Sequence, residues 1–199
     1  GSAQPFVFLS ECAGVVEQDA ARRVIRILKT VSVDGEYGQA RLSPGSCLSL
    51  DVEIDFLGSA VAKQSLSIGI VNGSFGKELA RARTFGFLHQ IEKLWAAGLA
   101  KGGSLDNAVV VSGDKILNEG GLRYDDEFVR HKILDAVGDL YLAGGAIIGR
   151  FEGVYSGHAT NNALLRALFA DNEAWKAERP GQVVLPRAEL VSAIRRIIE

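Results

Sequence analysis

The sequence contains no methionine, only two cysteines, and no apolar run near the ~20 residues that a transmembrane helix requires. Cys12 and Cys47 lack the CxxC spacing of metal sites, and so few cysteines favour a reducing cytoplasm over a disulfide-stapled secreted fold. Neither a signal peptide nor an integral membrane segment is predicted. Because a native gene product begins with Met, we expect that this chain starts at a processing site or an expression junction, or is an excerpt from a longer protein.

The chain also lacks an excess of either charge, since 22 Lys and Arg residues nearly balance 24 Asp and Glu residues. This balance excludes a broad electrostatic attraction to nucleic acid, and we expect no nucleic-acid partner. The glycine-rich segment 98–107 (GLAKGGSLDN) has neither the GxGxxG nor the GxxxxGK[ST] arrangement of phosphate loops, which argues against nucleotide-triphosphatase chemistry. Any function must therefore lie in local sites.

What the chain does have is 47% apolar residues over 199 positions, enough to bury the core of one domain or of two small ones. Alternating apolar and polar residues predict strands at 24–33, 37–42, 47–56 and 65–71, forming a mostly antiparallel sheet with one solvated face. Helical spacing predicts helices at 74–81, 87–97, 126–143 and 158–170, and a terminal helix within the last twenty residues. Further strands are predicted at 107–111, 115–118 and 146–151. The order of these elements indicates an α+β fold.

Three titratable residues recur every four positions in the predicted helix EFVRHKILDAVGDLY, namely His131, Asp135 and Asp139. Residues i and i+4 share one face of a helix, so His131 and Asp135 can converge on a single metal ion. Asp139 lies too far along the helix to share that ion, but it can orient a neighbouring side chain. Most HxxxD pairs are surface or capping pairs, so the spacing alone leaves both interpretations open.

Two further segments contain candidate chemical groups. His158 follows a glycine at the predicted start of a helix, with Ser156 as a candidate N-cap, and is either an acid/base group or a structural histidine. Thr84 lies in the segment ARARTFGF, where the plain alternative is a strand edge beside a core aromatic residue.

Together, the motifs ARTFGF, GLxxGGSxDNAVVV, LNEGGLRYxDEFVRHKILDxxGDLYL and GxxxxxxSGHxxNNxLL closely resemble the UDP-3-O-acyl-N-acetylglucosamine deacetylase family, the zinc amidases of lipid A biosynthesis. The resemblance covers about residues 1–175 and is to the C-terminal half of the family. It implies a two-layer α+β sandwich of sheet and helices, with a β-α-β insertion at about 84–118 and a tail at 176–199. The family's active site lies between two such halves, and the cytoplasm is the implied location.

The resemblance also implies roles for individual residues. His131 and Asp135 correspond to two of three zinc ligands; the third ligand and a glutamate general base belong to the missing N-terminal half. Thr84 resembles the residue that hydrogen-bonds the oxyanion, His158 the cationic imidazole that stabilises it, and Asp139 the carboxylate that orients His158. Lys132 resembles the cation that meets the nucleotide diphosphate of a UDP-sugar substrate, and Asp55 and Phe56 resemble a nucleotide-side contact. For Lys132, a solvated helix charge is the alternative.

An acyl-chain tunnel is implied within the insertion, although an apolar helix stripe is more often simple core. Its apolar residues would be Phe85, Phe87, Leu88, Ile91 and Leu99, and its small walls Gly103, Ser104 and Ala108. Two alternative functions remain open at this point: a noncatalytic module that binds nucleotide-sugar and acyl chain, and a half-enzyme whose homodimer rebuilds the cleft.

Overall fold

The computed structural model describes residues 2–16, 18–71 and 73–179. Its α-helices are α1 (Gln4–Ala13), α2 (Leu88–Ala96), α3 (Glu127–Leu140) and α4 (His158–Ala170). Its strands are β1 (Val24–Ile27), β2 (Val31–Asp34), β3 (Gln39–Ser43), β4 (Leu48–Ile54), β5 (Gln64–Gly69), β6 (Thr84–Phe87), β7 (Ala108–Ser112), β8 (Lys115–Ile116), β9 (Ala146–Val154) and β10 (Trp175–Glu178). A π-helix spans Phe75–Leu79, and a 3₁₀ turn at Tyr141–Ala143 extends α3. None of the helices in the described residues is long and apolar enough to cross a bilayer.

The described residues form a large mixed sheet organised around β9. β9 pairs antiparallel with β3 and parallel with β1 and β4, while β2, β5 and β10 extend the sheet by antiparallel pairing. Residues along β9 alternate in burial, so that Phe151 faces the core and Arg150 and Glu152 face solvent. This alternation follows from the two-residue period of a strand and leaves one face of the sheet charged and wet.

Helices α3 and α4 pack against each other and cover the apolar face of the sheet, α3 over β4 and β5 and α4 over β2 and β3. The core between the two layers is built from fully buried side chains, including Phe128 and Ile133 of α3, Leu164 and Leu168 of α4, and Phe151 of β9. The predicted α+β sandwich with a mostly antiparallel sheet is confirmed. Since both helices bear their candidate site residues beside the buried stripe, the core fixes how those side chains project.

The predicted β-α-β insertion is also confirmed. β6 and β7 pair in parallel and are joined by α2, and β8 adds an antiparallel strand to this small second sheet. α2 ends near Gly98, whose φ of 74° is in the left-handed region that suits a helix C-terminus. β6 therefore carries Thr84 directly into the insertion.

Several elements differ from the predictions. The single strand predicted at 24–33 is wrong, because the chain turns after β1 and the Leu28 and Lys29 amides both donate to the Ala174 carbonyl. The helix predicted at 74–81 is a short π-helix, and α1 and β10 were not predicted. β10 pairs with β1, so the sheet continues past the predicted boundary at residue 175. The predicted terminal helix lies outside the described residues.

Candidate active site

His131 and Asp135 face each other on α3, one turn apart as their spacing predicts. The His131 Nε2 atom lies 3.3 Å from the Asp135 Oδ1 atom. His131 is buried, with 8% of its surface exposed. The other ring nitrogen, Nδ1, lies 3.3 Å from the Ala82 carbonyl oxygen. A carbonyl oxygen can only accept, so Nδ1 carries a proton, and in the neutral ring Nε2 then presents its lone pair to Asp135.

Burial lowers the pKa of His131, although the neighbouring Asp135 carboxylate and the hydrogen bond to Ala82 oppose this shift. This shift favours the neutral ring, which is the form that binds a metal ion. An imidazole lone pair and a carboxylate oxygen at 3.3 Å are two acceptors facing each other, and they repel unless a cation lies between them. This donor set fits a divalent metal ion with nitrogen and oxygen preference, such as zinc.

A buried ion pair clamps the segment that carries Ala82 and Thr84 onto the start of α3. Glu127 is fully buried and accepts from the Arg83 backbone amide at 2.9 Å, from Arg83 Nε at 2.9 Å and from Arg83 Nη2 at 3.0 Å. It also accepts from the Arg123 backbone amide at 2.6 Å. Because Arg83 lies between Ala82 and Thr84, this clamp fixes both the carbonyl that anchors His131 and the threonine of β6.

Replacement of Glu127 by glutamine tests this clamp. Burial alone would raise the pKa of Glu127, but the hydrogen bonds from Arg83 and Arg123 outweigh it and hold the pKa below its usual range. Glu127→Gln leaves the Arg83 guanidinium buried without its counter-charge, and we expect a loss of roughly 2–3 kcal/mol in the free energy of unfolding. Denaturant unfolding at neutral pH measures it.

The pH dependence of the free energy of unfolding gives a second test with Glu127→Gln. A carboxylate with a lowered folded-state pKa contributes stability above its unfolded pKa, and that contribution is lost as the pH falls through the folded value. The difference between wild type and Glu127→Gln should therefore shrink in acid. Glu173→Gln, at an exposed pair with Lys29, is the matched control and should change little. Equal effects of the two substitutions would contradict the proposed clamp.

Lys132 lies beside the His131–Asp135 pair, and Thr84 follows by two residues the Ala82 carbonyl that contacts His131. The Lys132 Nζ atom is 4.0 Å from the Asp135 Oδ2 atom, and a Cβ built on Gly157 would lie 3.8 Å from Nζ. The lysine thus stands between α3 and the residue that precedes His158. Only 18% of its side chain is exposed, so it is not the fully solvated helix charge that was the alternative. Thr84 begins β6 and is half-buried.

His158 is the first residue of α4, and its ring is held by Asp139. The Nδ1 atom lies 2.9 Å from each Asp139 carboxylate oxygen, so Asp139 contacts the ring as the family resemblance implied. The His158 side chain is 72% exposed, whereas Asp139 is only 15% exposed. With Nδ1 engaged, Nε2 is left to face solvent or substrate. The predicted N-cap at Ser156 is wrong, because the cap position is Gly157 and no side chain bonds the helix start.

The loop before His158 is tightly constrained. Tyr155 has a φ of 52°, an unfavourable value for a residue with a side chain, and its amide donates to the Glu53 carbonyl at 2.9 Å. Gly38, at the β2–β3 turn, approaches so closely that a Cβ built there would collide with the backbone oxygens of Val154 and Tyr155. The β2–β3 turn thus fixes the position of the loop that precedes His158.

An apolar cavity of about 420 Å³ lies within the insertion, between α2 and the small sheet. Of the predicted tunnel residues, those that line it are Phe85, Leu88, Ile91, Gly103, Ser104 and Ala108. Thr84 also lines it. The centroids of the Phe85 and His131 rings are 6.4 Å apart, so the part of the cavity next to Phe85 adjoins the His131–Asp135 pair. Phe87 and Leu99 are not in its walls; Leu99 is 56% exposed because it follows the end of α2.

Asp55 and Phe56 lie at the end of β4 and are both half-buried. The Phe56 ring packs against Phe85 at 5.9 Å and Phe87 at 5.4 Å between centroids. Phe56 therefore supports the aromatic residues of β6, and Phe87 belongs to this cluster rather than to the cavity. The structure gives Asp55 no hydrogen bond to a side chain among the described residues.

The geometry adds three residues that sequence analysis did not single out. These are Arg83 and Glu127, which clamp β6 to α3, and Asn161, which donates to the Asp139 Oδ2 atom at 2.8 Å. Asn161 lay within the quoted SGHxxNN motif, so that motif was an available signal. In the described ranges, no group of three or more His, Cys, Asp or Glu side chains could hold a metal ion. The described residues thus offer His131 and Asp135 as a pair of candidate ligands and no larger group.

Comparison with known proteins agrees with these motifs. The family model for UDP-3-O-acyl N-acetylglycosamine deacetylase matches residues 1–170. The chain is similar to the UDP-3-O-acyl-N-acetylglucosamine deacetylase of Marinobacter nauticus, with 53% identity over 181 residues, and to that of Stenotrophomonas maltophilia strain K279a, with 54% identity over 178 residues. Each alignment covers 88% of this chain and 59% of the relative, so the chain spans less than two-thirds of the length of these relatives. The chain therefore belongs to the UDP-3-O-acyl-N-acetylglucosamine deacetylase family.

Proposed function

We propose that this chain supplies part of the active site of a zinc-dependent amidase, which hydrolyses the N-acetyl amide of UDP-3-O-acyl-N-acetylglucosamine and releases acetate in cytoplasmic lipid A biosynthesis. The observation that carries the proposal is the His131–Asp135 pair, a buried imidazole and a half-buried carboxylate that face each other one turn before Asp139, the residue of α3 that holds His158 of α4. Another part of the enzyme supplies the third zinc ligand and the general base, as the family resemblance implies.

His131, through Nε2, and Asp135, through its carboxylate, would hold the zinc ion. Zinc bound there polarises a water molecule and the amide carbonyl. The Ala82 carbonyl holds the His131 ring in the tautomer that ligates, and the Arg83–Glu127 clamp keeps that carbonyl in place. These contacts remove the need to reorganise the ligands when the metal arrives.

His158 and Thr84 act on the reacting amide. The Nδ1 proton of His158 is held by Asp139, so a protonated ring can stabilise the oxyanion and give its Nε2 proton to the departing amine. The Thr84 hydroxyl donates a hydrogen bond to the same oxyanion. Lys132, poised beside Gly157, meets the nucleotide diphosphate, and Asp55 with Phe56 contributes a nucleotide-side contact.

The cavity of the insertion receives the acyl chain. Its walls are mostly apolar side chains, and the part lined by Thr84 and Phe85 adjoins the His131–Asp135 pair. A sugar bound beside that pair could therefore extend its acyl group into the cavity. A purely noncatalytic binding module would use the cavity in the same way but would have no need of an oriented His158. The test is acetate release by this chain combined with the remaining part of the family's enzyme; binding without acetate release would favour the noncatalytic module.

Zinc should bind this chain alone, but weakly. Structural zinc sites with four ligands bind with roughly 10–16 kcal/mol, and two ligands should give about half of that, a Kd of roughly 1 µM to 0.2 mM. Equilibrium dialysis with zinc analysis measures this, and extended dialysis should strip the ion. Binding should disappear in His131→Ala and persist in His89→Ala, the matched control at an exposed histidine of α2. Stoichiometric zinc that survives a mild chelator would point to a further ligand and contradict the two-ligand site.

A further inference from the structure

We infer that Asn161 is a positioning residue that holds Asp139, and through it the ring of His158, in one orientation; its catalytic consequence rests on the proposed function. Asn161 follows His158 by three residues, so both side chains project from the same side of the first turn of α4. The Asn161 Nδ2 atom donates to Asp139 Oδ2 at 2.8 Å. His158 and Asn161 thus share one carboxylate on α3.

The geometry makes the His158 ring dependent on Asp139, and Asp139 dependent on Asn161. The imidazole is 72% exposed, so packing does little to fix it, and its Nδ1 atom is bonded only to Asp139 among the described residues. Asp139 likewise has no side-chain partner in the described ranges except His158 and Asn161. Of these two, Asn161 alone is buried, with 1% of its surface exposed. Asn161 is therefore the residue whose position is set by packing, and it holds Asp139, which in turn holds His158.

Asn161 is also held in an unfavourable environment. Its Oδ1 atom is buried and has no hydrogen-bond partner among the described residues. A reversed amide would not resolve this, because it would turn Oδ1 toward the Asp139 carboxylate and lose the one bond that Nδ2 makes. An apolar residue of similar size would avoid the unpartnered oxygen. The amide is therefore suited to orienting Asp139 rather than to stabilising the core.

The experiment compares Asn161→Leu with Asn162→Leu in this chain. Asn162 is the next residue of α4, but its Oδ1 atom accepts from Arg166 Nε at 2.9 Å and its side chain does not bond Asp139. The experiment measures which nitrogen of the neutral His158 ring carries the proton. Long-range proton–nitrogen NMR reports this at a pH above the usual imidazole titration range. The chain has only three histidines, and a His158→Gln variant assigns the signal.

We expect the proton to reside mainly on Nδ1 in wild type and in Asn162→Leu, and the Nδ1-protonated fraction to fall at least severalfold in Asn161→Leu. The thermal midpoint of Asn161→Leu should be equal to or above that of wild type. Should leucine prevent folding, Asn161→Ala gives the same tautomer readout. An unchanged tautomer in whichever of these variants folds, or an equal change in Asn162→Leu, would overturn the inference.

Kinetics extend the inference to the complete enzyme. There, Asn161→Leu should lower kcat roughly 10-fold with little change in KM, the scale for a partner that orients a reactive group. The tautomer is measured in this chain without turnover. A failure of the Asn161 inference can therefore be distinguished from a failure of the proposed function. Absence of acetate release by the wild-type enzyme would defeat the proposed function and leave the tautomer result standing. A shifted tautomer with full turnover would overturn the catalytic part of the inference.

Discussion

In the complete two-half enzyme, His158→Ala is expected to lower kcat by roughly 10²–10³-fold, the scale of losing one oxyanion stabiliser or general acid. Asp139 holds the ring through Nδ1, so the proposed mechanism would present a preoriented Nε2 to the substrate. KM should change little, because the ring's contribution grows as negative charge develops on the oxyanion rather than in the bound substrate.

Steady-state acetate release under saturating zinc measures this effect. His89→Ala serves as the matched control, because that ring lies on the exposed side of α2 near Phe87. The His158 side chain is 72% exposed, so its removal uncovers little apolar surface and the unfolding midpoint should hold. Full turnover by His158→Ala, or a loss explained by unfolding, would return His158 to a structural role.

Long periodic segments were the part of the fold that sequence could predict. The predicted bounds of helices α3 and α4 and of strands β7 and β8 lie within a few residues of those observed, whereas β6 had no predicted bounds of its own. The division of 24–33 was missed because no glycine or proline marks the turn after β1; the Ala174 carbonyl, far along the chain, holds it. Likewise β10 forms by pairing with β1, an interaction that local sequence does not encode.

Prediction of the candidate site from sequence was limited in the same way. The His131–Asp135 contact lies within one helix turn and follows from spacing, whereas pairing of His158 with Asp139 required the resemblance, since nineteen residues separate them. The Arg83–Glu127 clamp joins residues 44 positions apart, so no local spacing predicted it, although both residues lie within the quoted motifs. The family resemblance placed Leu99 in the tunnel, but α2 has already ended before Gly98 and the Leu99 side chain is exposed. Local spacing thus predicts chemistry within an element better than contacts between elements.

The chain alone is expected to show no amide hydrolysis, and zinc-dependent activity should return in part when the family's N-terminal half is added in trans. The described residues contribute two candidate zinc ligands and no larger ligand group. Groups that act as a unit do not leave a proportionate fraction of activity when some are absent. The buried core between the sheet and α3 and α4 nevertheless resembles that of a self-sufficient domain, so the chain should unfold cooperatively.

Exposed apolar side chains bear on how the chain behaves without that half. Phe6, Phe8 and Leu9 of α1 are each more than 60% exposed, and α1 buries none of its residues. Leu142, directly after α3, is 69% exposed. Such surfaces favour association. We therefore expect the isolated chain to self-associate in a concentration-dependent way, and the added N-terminal half to suppress this, as measured by analytical ultracentrifugation.

Acetate release from UDP-3-O-acyl-N-acetylglucosamine decides between the remaining functions, measured for the chain alone, for the chain with the N-terminal half, and for both with chelator. We expect activity to be recovered only in the mixture, and to be lost with chelator and when the chain carries His131→Ala. His131 is the better buried of the two proposed ligands and is anchored by the Ala82 carbonyl. Zinc-dependent turnover by the chain alone would contradict the two-half proposal. It would favour a homodimer that rebuilds the cleft, since self-association would then bring a second His131–Asp135 pair or another side chain to complete the ligand set.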